Sequence, residues 1–195
     1  MCGTPRREGG FVLDPTVARR IRLVGLDVDG VLTDNGLYVG MVQGTPAELK
    51  RFDIQDGIGI VLLRLAGIRV VLLSGRRSEA TELRAEELVV DACVQGHHAR
   101  KYPAFAALLE RFGVAWDDAA FLGDDLPDVP VLRSVGLPVA VANATSDARA
   151  VAHHVTTARG GQGAVREFVE ALLRARGEWD ATVERYLEEA RGVPA

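Results

Sequence analysis

The chain has 195 residues, of which 48% are hydrophobic and 26% are charged, proportions typical of an ordinary soluble domain. Its formal net charge of −4 and its lack of a basic stripe argue against nonspecific nucleic-acid binding. No apolar run approaches the roughly 20 residues that a membrane helix needs. The polar start, Met1–Glu8, and the two cysteines predict a cytoplasmic protein without a disulfide framework or a zinc site.

The predicted elements begin with a flexible arm over residues 1–14, followed by one domain over 15–195 that opens with a helical fragment at 15–20. The apolar, β-branched run from Ile21 to Leu26 predicts a buried strand. Two short extended segments around a Gly/Pro turn, between Leu37 and Phe52, predict a β-hairpin that projects from the sheet.

Strands and helices alternate along the rest of the chain. Asp56-Gly57 is predicted to cap a helix that ends at Gly67. Further strands are predicted at 68–73, 91–95, 119–122, 138–142 and 154–156, and further helices at 78–89, 101–112, 130–135, 164–173 and 179–190. This alternation predicts an α/β protein with a Rossmann-like, doubly wound, mostly parallel sheet and helices on both faces.

Polar residues follow three of the predicted strands: Asp27 and Asp29 after the first, Ser74-Gly75-Arg76 after the second, and the acids of 124–128 after another. Because the carboxyl ends of parallel strands meet at one edge of the sheet, these residues and Lys101 are expected to converge. Converging carboxylates repel each other unless a cation joins them, and Mg²⁺ prefers oxygen ligands. A hydroxyl and an ammonium beside Mg²⁺ suit a phosphoryl group.

The order DxDGVLT, LLSGR, a lysine and GDDxxD resembles the haloacid dehalogenase (HAD) superfamily of aspartyl-phosphate enzymes. The sequence is most similar to one branch of it, the 3-deoxy-D-manno-octulosonate 8-phosphate (KDO 8-phosphate) phosphatases. The branch-like segments are Asp27–Asp34, Leu49–Asp53 with Asp56-Gly57, Ser74–Arg76, Gln95-Gly96 and Gly160–Glu167. The resemblance covers roughly residues 15 to 177.

The resemblance implies four catalytic roles. Asp27 would be the nucleophile that becomes an aspartyl phosphate. Asp29 would protonate the leaving alkoxide and later deprotonate the hydrolytic water. Ser74 would hydrogen-bond a phosphoryl oxygen, and Lys101 would offset negative charge. Because the segment before Lys101 is one residue longer than in the branch, Arg100 stays open as the alternative cation.

The resemblance also implies a Mg²⁺ site and a site for the sugar acid. The metal ligands would be the Asp27 carboxylate, the Asp29 backbone carbonyl and Asp124, with Asp128 supporting the shell. The implied residues of the sugar site are Gly75, Arg76, Gly161 and Arg166, the last two reaching a neighbouring subunit's site. Taken alone, however, the glycine-rich segment also fits a helix-entry loop, and Arg166 fits a helix surface.

The spacing of the motifs leaves no room for a cap domain, since only about 20 residues separate the first motif from the helix at Asp56. The predicted hairpin is then the only local cover. The resembling branch encloses its sites by forming a homotetramer, and the same assembly is expected here. His97 and His98 are interpreted as a solvated loop pair.

These observations predict a Mg²⁺-dependent phosphatase that hydrolyses KDO 8-phosphate, a sugar-acid phosphate of lipopolysaccharide precursor synthesis. The first alternative is a phosphatase for a nine-carbon ulosonic acid 9-phosphate of the sialic or deaminated sialic type. The second is a non-catalytic oligomerisation module of the same fold. The joint presence of Asp27, Asp29, Ser74, Lys101 and Asp124 argues against the second, since a scaffold has no need to keep all five.

Overall fold

The structure is a computed structural model that describes residues 12–96 and 100–192. Its strands, numbered along the chain, are β1 Leu23–Asp27, β2 Tyr38–Val42, β3 Thr45–Leu49, β4 Arg69–Ser74, β5 Ala92–Gln95, β6 Ala119–Gly123, β7 Leu137–Ala140 and β8 His154–Val155. Its helices are α1 Pro15–Arg20, α2 Ile54–Leu65, α3 Glu79–Glu87, α4 Lys101–Phe112, α5 Val129–Leu132, α6 Ser146–Val151, α7 Ala164–Arg176 and α8 Trp179–Ala190.

The main sheet contains six parallel strands in the order β5-β4-β1-β6-β7-β8. The chain first winds from β1 through β4 to β5 and then returns to the other side of β1, so the sheet is doubly wound, as predicted. β1 is buried along its whole length, which explains its continuous apolar sequence. The reversal of strand order at β1 places a crevice at its carboxyl end, next to Asp27.

The helices form two groups. In one group α2 packs against α7 and α8, and α1 packs against α7. In the other group α4 packs against α5, and α5 against α6. One face of α7 is apolar and packs into the core. Its residues recur at helical spacing and are all buried: Val165, Phe168, Val169, Leu172 and Leu173.

The projecting hairpin is confirmed as the antiparallel pair β2 and β3. Its turn lies at Gln43-Gly44, where both residues have positive φ, and Pro46 lies inside the strand that follows. Apolar side chains on this hairpin are strongly exposed, among them Val39 at 73% and Met41 at 66%. Such a cluster of exposed apolar side chains is typical of a surface that contacts a partner.

One local prediction was wrong, and one helix was not predicted. α2 begins at Ile54, because the Asp53 carboxylate accepts the backbone N–H of Gln55 at 2.8 Å and caps the helix there; Asp56 lies inside its first turn. The helix that was not predicted is α6, since one buried residue, Ala148, gives too little periodicity.

The N-terminal arm is described only from residue 12. Leu13 is buried in the core, and the Asp14 carboxylate accepts the N–H of Thr16 at 2.7 Å to cap α1. Residues 1–11, including Cys2, lie outside the described residues, as do His97 and His98. No helix within 12–96 and 100–192 is both long enough and apolar enough to cross a membrane.

Candidate active site

The loop after β1 is held in one shape by its neighbours. Gly30 has a φ of 105°, and a Cβ at this position would lie 2.0 Å from Asp124 Oδ2, so only glycine lets the Asp124 carboxylate approach the loop. The Asn143 side chain donates to the Gly30 carbonyl at 3.0 Å and accepts the N–H of Gly160 at 2.6 Å. Asn143 therefore ties the β1 loop to the glycine-rich segment before α7.

Asp27 lies at the end of β1 and is buried beside Lys101, the first residue of α4. The Lys101 ammonium lies 2.5 Å from Asp27 Oδ1 and 2.7 Å from Asp128 Oδ1. Although burial disfavours its charged form, the two carboxylates raise the pKa of Lys101 above its ordinary value. Arg100, by contrast, is exposed. The buried cation next to Asp27 is thus Lys101.

Asp128 organises the loop after β6. Its Oδ2 accepts the backbone N–H of Asp124 at 2.9 Å and that of Asp125 at 3.3 Å, while its Oδ1 accepts from Lys101. Both oxygens of Asp128 are thus engaged within the protein. The result is that the Asp124 carboxylate is presented next to Asp27.

The three carboxylates fit a divalent metal ion. Ligand oxygens of Asp27, Asp124 and Asp128 all lie within 4.8 Å of one another, and all three residues are buried. Burial, and then repulsion from Asp128, raise the pKa of Asp27 well above its ordinary value and raise the pKa of Asp124 to about 6. When ionised, the three carboxylates face the single ammonium of Lys101, and the excess of two negative charges suits a hard divalent cation.

Asp29 is held from two sides. Its Oδ1 lies 2.6 Å from Lys50 Nζ, and its Oδ2 lies 3.2 Å from the hydroxyl of Ser74, at the end of β4. The Ser74 oxygen also accepts the N–H of Arg76 at 3.2 Å. The second predicted acid is therefore brought next to Ser74, as the convergence of strand ends predicts.

A pocket of about 230 Å³ opens over these groups. Its walls include Asp27, Asp29, Lys101, Asp124 and Asp128, together with Gly75, Arg76 and Asn35. This volume is below the roughly 300–1,000 Å³ of pockets that enclose a whole small ligand. The single chain thus offers room for the reacting group and leaves the rest of a substrate uncovered.

Of the residues predicted to bind the sugar acid, Gly75 and Arg76 line the pocket and the other two do not. The Arg76 guanidinium donates to Glu48 Oε2 at 2.8 Å. The Gly161 N–H donates to the Val31 carbonyl at 2.9 Å. The Arg166 side chain pairs with Glu170 at 2.7 Å, and its guanidinium lies over the Trp179 ring. Arg166 thus faces α8 within its own chain.

Four residues that support this site were not among the predicted site residues: Lys50, Glu48, Asn143 and Asp56, the last predicted only as a helix cap. The Asp56 carboxylate is buried and accepts backbone N–H groups of Arg166 at 2.8 Å and Gly163 at 3.3 Å, at the start of α7. Burial raises its pKa to about 6. One signal could have identified Lys50, because the sequence contains only two lysines and the other is Lys101.

Comparison with known proteins agrees with this geometry. The sequence profile of haloacid dehalogenase-like hydrolases matches residues 95–168. The 3-deoxy-D-manno-octulosonate 8-phosphate phosphatase of Salmonella typhi is 42% identical over 165 residues, which cover 85% of this chain and 86% of that protein.

Two solved structures have the same fold. The 3-deoxy-D-manno-octulosonate 8-phosphate phosphatase of Moraxella catarrhalis, crystallised with magnesium, phosphate and KDO, is 36% identical with a TM-score of 0.82 and covers 88% of this chain and 97% of its own. The enzyme of the same name from Yersinia pestis is 40% identical with a TM-score of 0.80. The match covers 85% of this chain and 88% of the Yersinia pestis chain.

A doubly wound sheet with paired aspartates at the end of β1 defines the class, the haloacid dehalogenase-like hydrolases. Within that class, the chain belongs to the 3-deoxy-D-manno-octulosonate 8-phosphate phosphatase family.

Proposed function

We propose that this protein is a Mg²⁺-dependent phosphatase that hydrolyses KDO 8-phosphate to KDO and phosphate. The observation that carries the proposal is the buried arrangement of Asp27 and Lys101, with Asp29 and Ser74 beside them, at the carboxyl edge of the sheet. The named relatives support the substrate, since they cover most of this chain at 36% to 42% identity. A non-catalytic module would not need a buried nucleophile paired with an ammonium.

In the first step an Asp27 oxygen attacks phosphorus, and the bond from phosphorus to the sugar oxygen breaks. Asp29 gives its proton to that leaving oxygen, so the sugar departs as an alcohol. The Ser74 hydroxyl donates a hydrogen bond to a phosphoryl oxygen. The Lys101 ammonium, 2.5 Å from Asp27 Oδ1, offsets negative charge as it moves onto the nucleophile.

In the second step a water molecule attacks the aspartyl phosphate, and the bond between phosphorus and the Asp27 oxygen breaks. Asp29, now a carboxylate, takes the proton of that water. Inorganic phosphate leaves, and both aspartates return to their starting states. Asp29 thus acts once as an acid and once as a base.

Mg²⁺ would be held by the carboxylates of Asp27 and Asp124 and by the backbone carbonyl of Asp29, and Asp128 would support this shell. When bound, the ion neutralises charge on the phosphoryl group. Asp128 contributes through its own contacts, because it fixes both the Lys101 ammonium and the backbone that carries Asp124.

The open pocket and the exposed apolar hairpin support a homotetramer, in which neighbouring chains cover the sugar. In this proposal Gly75 and Arg76 contact the sugar acid of their own site, and Gly161 and Arg166 belong to the region that meets a neighbouring site. The catalytic domain is the unit from 15 to 195, and its place of action is the cytoplasm. Light scattering on the purified chain tests the assembly, and a monomeric mass would contradict it.

The decisive experiment measures phosphate release from KDO 8-phosphate by purified protein, with Mg²⁺ and with excess chelator. We expect turnover that requires Mg²⁺ and that is lost in Asp27→Asn. A panel containing nine-carbon ulosonic acid 9-phosphates runs beside it. Faster turnover of those compounds would move the substrate to the nine-carbon class, and no turnover of any sugar phosphate would contradict the enzymatic proposal.

A further inference from the structure

The use of lysine in this chain is restricted to two positions. Of its 23 basic residues apart from histidine, all are arginines except Lys50 and Lys101. Each of these two ammonium groups forms an ion pair with one of the two aspartates at the carboxyl end of β1: Lys101 with Asp27, and Lys50 with Asp29. An ammonium is a compact point charge, whereas a guanidinium is a wide planar fork. The two lysines therefore occur where a compact buried charge is needed.

The Lys50 side chain is buried and its ammonium is held by two neighbouring side chains. It directly follows β3, and only 1% of its side chain is exposed. Its ammonium lies 2.6 Å from Asp29 Oδ1 and donates to the Thr81 hydroxyl of α3 at 3.2 Å. Ser74 Oγ lies 3.2 Å from the other Asp29 oxygen, but its one hydrogen also faces the Arg76 carbonyl at 3.0 Å. Lys50 therefore supplies the contact that fixes the Asp29 carboxylate.

The Glu48 carboxylate is a second possible acceptor near the Lys50 ammonium. Glu48 lies two residues before Lys50 in the extended hairpin strand, so their side chains point to the same side. Glu48 Oε1 is 3.7 Å from Lys50 Nζ and is buried without a hydrogen-bond partner among the described residues, while its Oε2 accepts from Arg76. The Lys50 ammonium therefore lies next to two carboxylates, those of Asp29 and Glu48.

We propose that Lys50 is the positioning residue of Asp29, which it orients for both proton transfers, with Glu48 as its alternate partner. This inference rests on the proposed phosphatase function and deepens it. A carboxylate that rotates freely points at the reacting oxygen only part of the time, so fixing one of its oxygens raises the population of the productive orientation. Because Lys50 directly follows β3, the hairpin contributes to the position of Asp29.

The test uses 4-nitrophenyl phosphate, because its leaving group needs no proton donor. Formation of the aspartyl phosphate then proceeds without Asp29, whereas hydrolysis of that intermediate still needs Asp29 as base. In Lys50→Met, which keeps the length of the side chain and removes its charge, we expect kcat to fall about 30-fold with KM unchanged or lower. We also expect a burst of nitrophenolate that approaches one equivalent per site.

A second variant and a control complete the design. Lys50→Arg keeps the charge but not its compact shape, and we expect the same burst with a smaller fall in kcat. Arg22→Met removes one positive charge at the other edge of the sheet, and we expect wild-type kinetics in both phases. If Lys50→Met does not fold, the burst of Lys50→Arg decides.

The outcomes separate the two proposals. Wild-type turnover in Lys50→Met, or a fall in kcat without a burst, would overturn the role of Lys50. A rise in KM at unchanged kcat would do so too, since it would make Lys50 a substrate-binding residue. Wild-type protein that hydrolyses 4-nitrophenyl phosphate but not KDO 8-phosphate would overturn the substrate alone. Wild-type protein inactive on both would overturn the phosphatase function and the Lys50 inference with it.

Discussion

The two edges of the main sheet use charged side chains in different ways. At the carboxyl edge, side-chain carboxylates are paired with the two lysines, in and around a pocket of about 230 Å³. At the amino edge, a larger cavity of about 460 Å³ is lined by four arginines, Arg22, Arg64, Arg69 and Arg176. The larger cavity is therefore not the one with the reactive groups.

The difference follows from the direction of the helices. Helices that connect parallel strands end at the amino edge, where their last carbonyls lack intrahelical partners. Arginines supply the missing donors: Arg176 donates to the carbonyls of Ala18 and Ile21, and Arg64 donates to that of Leu88. Arg176 and Arg64 thus complete backbone hydrogen bonds at the amino edge, whereas Lys50 and Lys101 at the carboxyl edge are directed at side-chain carboxylates.

The largest expected effect comes from the nucleophile. Asp27→Asn keeps the shape of the side chain, and it should lower turnover by at least about 1,000-fold, because the amide does not attack phosphorus. Thermal unfolding should show a protein as stable as wild type, since a buried carboxylate has been replaced by a neutral group. Turnover within a few-fold of wild type would show that the carboxyl edge is not the reactive edge.

The next contrast compares two largely buried cations at opposite edges. Lys101→Met leaves Asp27 and Asp128 without their ammonium, so we expect a loss of about 3–5 kcal/mol in the free energy of unfolding and a large fall in kcat. Arg176→Met should lose about 1–3 kcal/mol at unchanged kcat, because its partners are backbone carbonyls and Glu178. Urea unfolding and steady-state kinetics measure both. A fall in kcat in Arg176→Met would remove the distinction between the edges.

A third contrast concerns Asp56, a buried carboxylate whose partners in α7 are backbone N–H groups rather than an ammonium. Its pKa is raised from 3.8 to about 6 in the folded protein, so the folded state favours the neutral form. The contribution of this pKa difference to the free energy of unfolding is on the order of 3 kcal/mol. It is fully present below about pH 4 and is lost as the pH rises through about 6.

Asp56→Asn removes this titration. As the pH rises from 4 to 7, the wild type should therefore lose unfolding free energy relative to Asp56→Asn. Urea unfolding of both proteins at several pH values measures the shift, and titrations of other residues cancel in the difference. A difference that stays constant with pH would show that backbone N–H groups alone keep Asp56 ionised.

The smallest effect is expected at the amino edge. Arg69 and Asp91 form an ion pair at 2.9 Å, in which the Arg69 side chain is 48% exposed. Arg69→Met should cost no more than about 1 kcal/mol, and the cost should shrink in high salt because the pair is screened by solvent. Thermal unfolding at low and high salt measures it. A loss of unfolding free energy as large as that of Lys101→Met would show that the exposed pair stabilises the fold as much as the buried one.

Elements with a local sequence pattern, such as an apolar run or a helical periodicity, could be predicted from the sequence. A continuous apolar run ending in Asp27 predicts a buried strand with an acid at its carboxyl end, and the α4 periodicity predicts a helix that begins at Lys101. The parallel arrangement then brings those ends together, because all carboxyl ends of a parallel sheet share one edge. The convergence of Asp27, Ser74 and Lys101 therefore follows from the sequence pattern and the parallel sheet that it predicts.

The contacts between residues that are distant in the sequence could not be predicted in the same way. Lys50 on Asp29, Asn143 on the Gly30 carbonyl and Asp56 on the start of α7 join residues at least about twenty positions apart. Arg166 pairs with Glu170 and lies over the Trp179 ring of its own chain, contacts that no sequence pattern indicated. Such partners depend on register, on the exit angle of the hairpin and on helix packing, and local sequence patterns contain none of these because each is fixed by the packing of the whole chain.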